Sequence, residues 1–219
     1  MFRDLFLDPE RFYREGIGEM GISREVVLIA IIGVMGTLGT YYAVSVITAP
    51  FNPITNPLPS DIQSGLYGHA VWPLASAFIY WLLLTFAIYV ISWAYSSAGG
   101  FYLLAKYLAW AMIPMLFAYL LRTVALVYTS IQVDVEVEDQ ELAGGTDAAI
   151  AYLWEQIFHE PTVLIAYAIG SVFAIWTGYI AMAAVARVRD LERHEALRVV
   201  VLPIGAYVVY LLYLVSQAL

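Results

Sequence analysis

The chain has 219 residues, enough for one domain of ordinary size, and 62% of them are apolar, well above the roughly 45–50% usual in soluble globular proteins. A soluble fold of this length cannot bury so much apolar side chain, so lipid must supply a second apolar phase. A formal charge of −8 leaves no basic face for phosphates and so excludes nucleic acid as a partner, and the lack of cysteine excludes disulfides, thiolate nucleophiles and cysteine metal sites.

Residues 1–25 predict a cytoplasmic amphipathic segment. Asp8 can cap a short helix and Pro9 suits its first turn. Phe12, Tyr13 and Gly16 share one face while Glu10, Arg11 and Arg14 occupy the other, so the helix would lie at the membrane interface. Gly16, Gly18 and Gly21 loosen the chain before Ser23.

A helix crossing the hydrocarbon core needs about 20 apolar residues. Five windows qualify: about 26–48, 70–94, 101–131, 162–186 and 199–219. The expected fold is all-α, a single membrane domain over 1–219 with five transmembrane helices and short amphipathic interfacial helices. None of the five windows contains Asp or Glu, and the third contains both bases found in them, Lys106 near its start and Arg122 deeper in. The apolar stretch of the first window is too long for a cleaved signal peptide.

The bases set the orientation. Arg3, Arg11, Arg14 and Arg24 precede the first span, Lys106 opens the third, and Arg187, Arg189, Arg193 and Arg198 lie between the fourth and fifth. With the amino terminus inside, all of these fall on the cytoplasmic side, the base-free loops 49–69 and 132–161 fall outside, and the carboxyl terminus is extracellular. The expected location is the cell membrane.

The outer loops differ in character. Pro50, Pro53, Pro57 and Pro59 make the first an extended linker or, as the alternative, a recognition segment. In the second, residues 131–138 alternate apolar and acidic as in a strand with one shielded face, ended by Gly144 and Gly145. Thr146 then caps an amphipathic helix with Ile150, Leu153, Trp154 and Ile157 on one face, stopped by Pro161; it is expected flat on the outer surface, with Trp154 among headgroups. The acidic run and the single lysine, Lys106, hint at a halophilic source.

Small residues suggest close helix packing, within the chain or between copies. Ala166, Gly170, Ala174 and Gly178 form a ridge on the fourth span, and Gly33, Gly36, Gly39 and Ala43 a less regular one on the first.

Reactive chemistry is hard to find. The phosphate loop, dinucleotide, zinc-protease and nucleophile-elbow signatures are absent, and no carboxylate relay runs through the spans. No catalytic residue, metal ligand set or cofactor is expected. Arg122 is the ionisable group deep in a span; it can snorkel to the outer interface and pair with an acid of 132–161, or it can bind a ligand. Pro114 should kink the third helix, whereas Pro203 falls in the first turns of the fifth span. His69 and His159 read as ordinary interface residues, with a metal site as the alternative, and the run 134–141 as a solvated face that lacks a calcium-loop pattern.

Three short motifs resemble the Yip family (Yip-one-domain membrane proteins). Asp8-Pro9-Glu10-Arg11-Phe12-Tyr13 is similar to the family's amino-terminal helix; Gly99-Gly100-Phe101 with Ala111-Met112-Ile113-Pro114 resembles its glycine pair and later proline; His194-Glu195-Ala196-Leu197-Arg198 through Pro203 resembles the approach to its last span. Prokaryotic members look like compact five-helix bundles, a haloarchaeal one being compatible with the charge. Eukaryotic relatives are linked to Rab-type small GTPases, vesicle traffic and membrane shaping, and carry a long cytosolic amino-terminal region. About 25 residues precede the first span here, so the resemblance implies a non-enzymatic scaffold or membrane organiser rather than a GTPase binder. Its partners would be lipids, other membrane proteins or itself. The rival reading is a transporter or channel subunit with a polar site near Arg122. Candidate functional or structural residues are therefore Arg122, Pro114, Gly99 and Gly100.

Overall fold

A computed structural model describes residues 2–14, 22–49, 59–132 and 146–217, with no strand among them. The alternating stretch from 133 onward, Gly16, Gly18, Gly21, Gly144, Gly145 and the prolines at 50, 53 and 57 lie outside the described residues.

The helices follow from the solvent. Hydrocarbon offers backbone groups no partner, so each apolar run satisfies its own N–H and C=O groups as a helix. Five described helices are long and apolar enough to cross a membrane: α3 (Ser23–Thr48), α4 (Ser60–Ser92), α6 (Ile113–Gln132), α8 (Pro161–Arg189) and α9 (Arg193–Gln217). Shorter helices are α1 (Phe2–Leu7), α2 (Pro9–Arg14), α5 (Phe101–Ala111) and α7 (Thr146–Phe158).

Several boundaries differ from the sequence expectation for identifiable reasons. Helix α4 begins at Ser60, not near 70, because Pro59 is its extended N-cap and no proline falls within 60–69. Pro73 therefore sits inside it. The third window is broken at Met112. Pro114 has no N–H to donate to Trp110, and Met115 N turns instead to Met112 O at 2.9 Å. Only the second piece, α6, has the length to span. Helix α9 starts at Arg193, where Glu195 Oε2 accepts the N–H of Glu192 at 3.1 Å. Pro203 is thus its eleventh residue, not part of the first turns.

Glycines fix how the spans align. A Cβ on Gly36 would lie 2.5 Å from Tyr119, and one on Gly39 would lie 2.7 Å from Thr123 Cα, so α3 and α6 run parallel in contact. Gly33 against Leu74, Gly36 against Pro73, and Thr40 donating to Ala70 O at 2.8 Å set α3 and α4 antiparallel. Continued along the helices, the first pairing puts Glu25 level with Trp110, and Trp110 Nε1 donates to Glu25 Oε1 at 2.9 Å. Helix α5 therefore projects past the start of α3. Arg24, Lys106, Arg187, Arg189, Arg193 and Arg198 gather toward this end of the bundle, the basic end.

The core is layered along the bundle axis. Phe12, Tyr13, Leu104, Val185 and Val188 pack at the basic end, Ile29, Trp81, Met115 and Ala174 at mid-depth, and Val44, Ile47, Leu66, Ile150 and Ile157 at the α7 end. Outside, Leu38, Leu83, Phe86, Val124, Ile165, Val172 and Val209 are exposed, a belt that needs lipid.

Both amphipathic segments dock on protein. Asp8 Oδ1 caps α2 by accepting from Arg11 N at 3.1 Å. Phe12 and Tyr13 are buried while Glu10, Arg11 and Arg14 are exposed. Tyr13 donates to Tyr107 O at 3.1 Å, and their rings stack with centroids 5.2 Å apart. Helix α7 buries Ile150 and Ile157. Gly65 makes room for Ile150, whose Cδ1 would lie 2.3 Å from an added Cβ. Trp154 packs near His69 and Phe158, with ring centroids 6.3 and 5.1 Å away.

Candidate functional site

Arg122 is the tenth residue of the 20-residue α6, about 15 Å from either helix end at 1.5 Å per residue. Its guanidinium turns inward. The Cζ atom lies 4.3 Å from the ring centre of Tyr167 on α8 and 5.6 Å from that of Tyr119 on α6. Tyr207 on α9 is a further electrostatic neighbour. Its Nε and Nη2 are buried without a hydrogen-bond partner. Neither the snorkelling nor the acidic partner expected from the sequence is seen among the described residues.

The magnitudes matter. A charge at mid-membrane costs at least about 2.5–3.5 kcal/mol, and a desolvated cation–π contact returns about 2 kcal/mol. Two unpaired donors leave the balance unfavourable. Tyr207 shares a side-chain hydrogen bond with the guanidinium, but Nε and Nη2 lack an acceptor.

The space for one is present. Arg122 lines a cavity of about 270 Å³ with Gly36, Thr40, Trp72, Pro73, Ser76, Tyr80, Tyr119, Thr123, Phe158, Tyr167, Tyr207, Tyr210 and Leu211 among its walls. Tyr80 and Tyr207 pack with rings tilted by 34° and centroids 4.3 Å apart, and the Tyr80 hydroxyl is also buried without a partner. Gly170 shapes the back wall: a Cβ there would lie 2.9 Å from Arg122 Nη2. The small-residue ridge of the fourth span thus serves two purposes. Gly170 seats the guanidinium, while Gly178 admits Ile204, 3.1 Å from its would-be Cβ.

Gly99, Gly100 and Pro114 belong to a different place, the basic end. Gly99 has φ +63°, and a Cβ on it would lie 2.2 Å from Val188 O. Nothing crowds Gly100, which N-caps α5 with extended backbone. The residue that organises this turn is Arg189, fully buried. It donates to Ala98 O, to Gly99 O at 2.7 Å and to Ser96 O at 2.5 Å, and its Cζ lies 5.1 Å from the Tyr89 ring centre. In the sequence Arg189 looks like one more topology-setting base; nothing local distinguishes it from Arg187. Likewise, nothing in 17 tyrosines marks Tyr167 and Tyr207 as neighbours of Arg122. Glu25 had a faint signal, a carboxylate just ahead of the first window, and it is buried.

The remaining candidates do not come together. His69 faces Trp154, and His159 Nδ1 lies 3.5 Å from Glu155 Oε1 on its own helix. No metal-competent group of three ligands occurs among the described residues. The acidic run 134–141 lies outside them. At the basic end, burial with Tyr107 nearby pushes the Tyr13 phenol well above its ordinary 10.0.

Comparison with known proteins gives one match: the family profile described as the Yip1 domain covers residues 3–215. No curated protein and no solved structure matches.

Proposed function

The chain belongs to the Yip1 domain family, and from that premise we propose a non-enzymatic, multi-pass membrane protein that organises its bilayer by binding lipids or partner membrane proteins. The observation that carries this reading is the interlocked bundle. Gly33, Gly36, Gly39 and Gly178 each sit where a methyl group would press on the neighbouring helix, so the spans pack in close, interlocked contact. Such a bundle offers lipids and partners an apolar surface. We place it in the cell membrane, with the basic end in the cytoplasm by the excess of Arg and Lys there. Mild-detergent purification followed by mass spectrometry of co-purifying lipids and proteins tests it. In a deletion strain, membrane-protein complexes should change; an unaltered membrane proteome with unaltered complexes defeats the reading.

A second reading, a transporter or channel subunit, is favoured by the Arg122 cavity at mid-depth. Its mark would be solute flux in proteoliposomes that Arg122→Gln abolishes.

A further inference from the structure

We propose that the Arg122 cavity binds the oxyanion head, carboxylate or phosphate, of a membrane amphiphile whose apolar chain leaves between α4 and α9. This deepens the lipid-binding part of the function proposed above and rests on it.

Four observations converge. The guanidinium presents two buried N–H-bearing nitrogens, Nε and Nη2, with no acceptor. A planar fork of donors held in place is suited to carboxylate or phosphate oxygens. Among the described residues no carboxylate pairs with it, and an added oxyanion would supply a counter-charge. The fork is also held: Tyr167 stacks 4.3 Å from Cζ, and Gly170 leaves just the room that Nη2 occupies.

The cavity supplies the rest. At about 270 Å³ it falls just short of the roughly 300–1,000 Å³ of ligand pockets, room for a headgroup rather than a whole lipid. The Tyr80 hydroxyl, without a partner, can hydrogen-bond a second oxygen. The wall contributed by α4 and α9 includes Trp72 and Tyr210, which are 59% and 54% exposed on the lipid-facing side. Leu211 and Leu214 line the same wall. An opening framed by indole, phenol and leucines suits an acyl chain. It offers little to a fully hydrated ion, which would have to reach a site about 15 Å from either end of α6.

The test uses the full chain, delipidated in a non-ionic detergent, with native mass spectrometry and thermal stability as readouts. The probes are oleate, phosphatidylglycerol, phosphatidylcholine and inorganic phosphate. Oleate or phosphatidylglycerol should bind saturably at one site and raise Tm; phosphatidylcholine, whose choline offsets its phosphate, should bind more weakly. Arg122→Gln should weaken that binding roughly ten- to hundredfold, the scale of a lost charged hydrogen-bonding partner. Should Arg122→Gln not fold, Leu214→Trp, which narrows the opening and keeps the arginine, should reduce oleate binding. Failure of both anionic amphiphiles to saturate the wild-type chain, or equal binding by Arg122→Gln or Leu214→Trp, overturns the proposal. Inorganic phosphate binding as tightly as the amphiphiles overturns it in favour of a soluble-anion site. Loss of the proposal alone leaves the deletion-strain phenotype intact; loss of the organising function removes that phenotype.

Discussion

The guanidinium of Arg189 donates to the carbonyl oxygen of Gly99 at 2.7 Å, joining residues 90 apart in sequence. This bond ties the turn after α4 to the last turn of α8. Both partners are constrained: Arg189 is fully buried, and Gly99 is at φ +63° against Val188 O. The glycine pair that resembles the family's therefore has unequal members.

Gly99→Ala should be strongly destabilising and Gly100→Ala close to neutral. A left-handed backbone costs an L-residue about 1–2 kcal/mol, and at Gly99 the 2.2 Å clash with Val188 O adds to it. Arg189→Lys should lose at least about 2 kcal/mol, because a single ammonium nitrogen cannot span the carbonyls that two separate guanidinium nitrogens reach. Thermal melts of the three variants in one detergent check the order.

Glycines on the bundle surface should behave oppositely to those between helices. Gly39→Ala meets backbone, Thr123 Cα at 2.7 Å, and should cost about 1–3 kcal/mol by overpacking. Gly68→Ala meets nothing within 4 Å and should stabilise α4 by about 0.5–1 kcal/mol, the gain in helix propensity. Equal effects at the two sites would break the packing account.

Alkaline pH should loosen the amino-terminal helix. Burial keeps Tyr13 protonated well above its ordinary 10.0, so its contribution is complete below about pH 10 and is lost as pH rises toward the folded value. Hydrogen exchange of α2 between about pH 9 and 11 should show this loss. Tyr13→Phe should flatten that dependence and cost about 1 kcal/mol at neutral pH through the lost bond to Tyr107 O.

Sidedness can be read directly because the chain contains no cysteine. Asp147 and Glu192 are both exposed, one on α7 and the other just before α9. In intact cells Asp147→Cys should react with an impermeant maleimide, and Glu192→Cys should react only after permeabilisation. The reverse pattern inverts the proposed orientation.

Mid-chain Pro114 was legible as a break, though the interruption falls at Met112 and leaves α5 outside the span. The Asp8 cap and the faces of α2 were legible too, since capping and amphipathicity involve residues a few positions apart. The neighbours of Arg122 were not legible: counting along one helix gives depth but not which side chains stand beside it.

The sequence by itself determined five membrane-spanning helices, the basic end and the amphipathic segments at either side. Those features arise from hydropathy and charge along the chain, because a backbone in hydrocarbon has no partner but itself. Only the tertiary structure decided that Arg122 meets Tyr167 across Gly170, that Arg189 closes the Gly99 turn and that Glu25 receives Trp110. Such contacts depend on helix register and rotation, which are set by the summed packing of residues as far apart as the 94 positions between Tyr13 and Tyr107, and no local pattern encodes them.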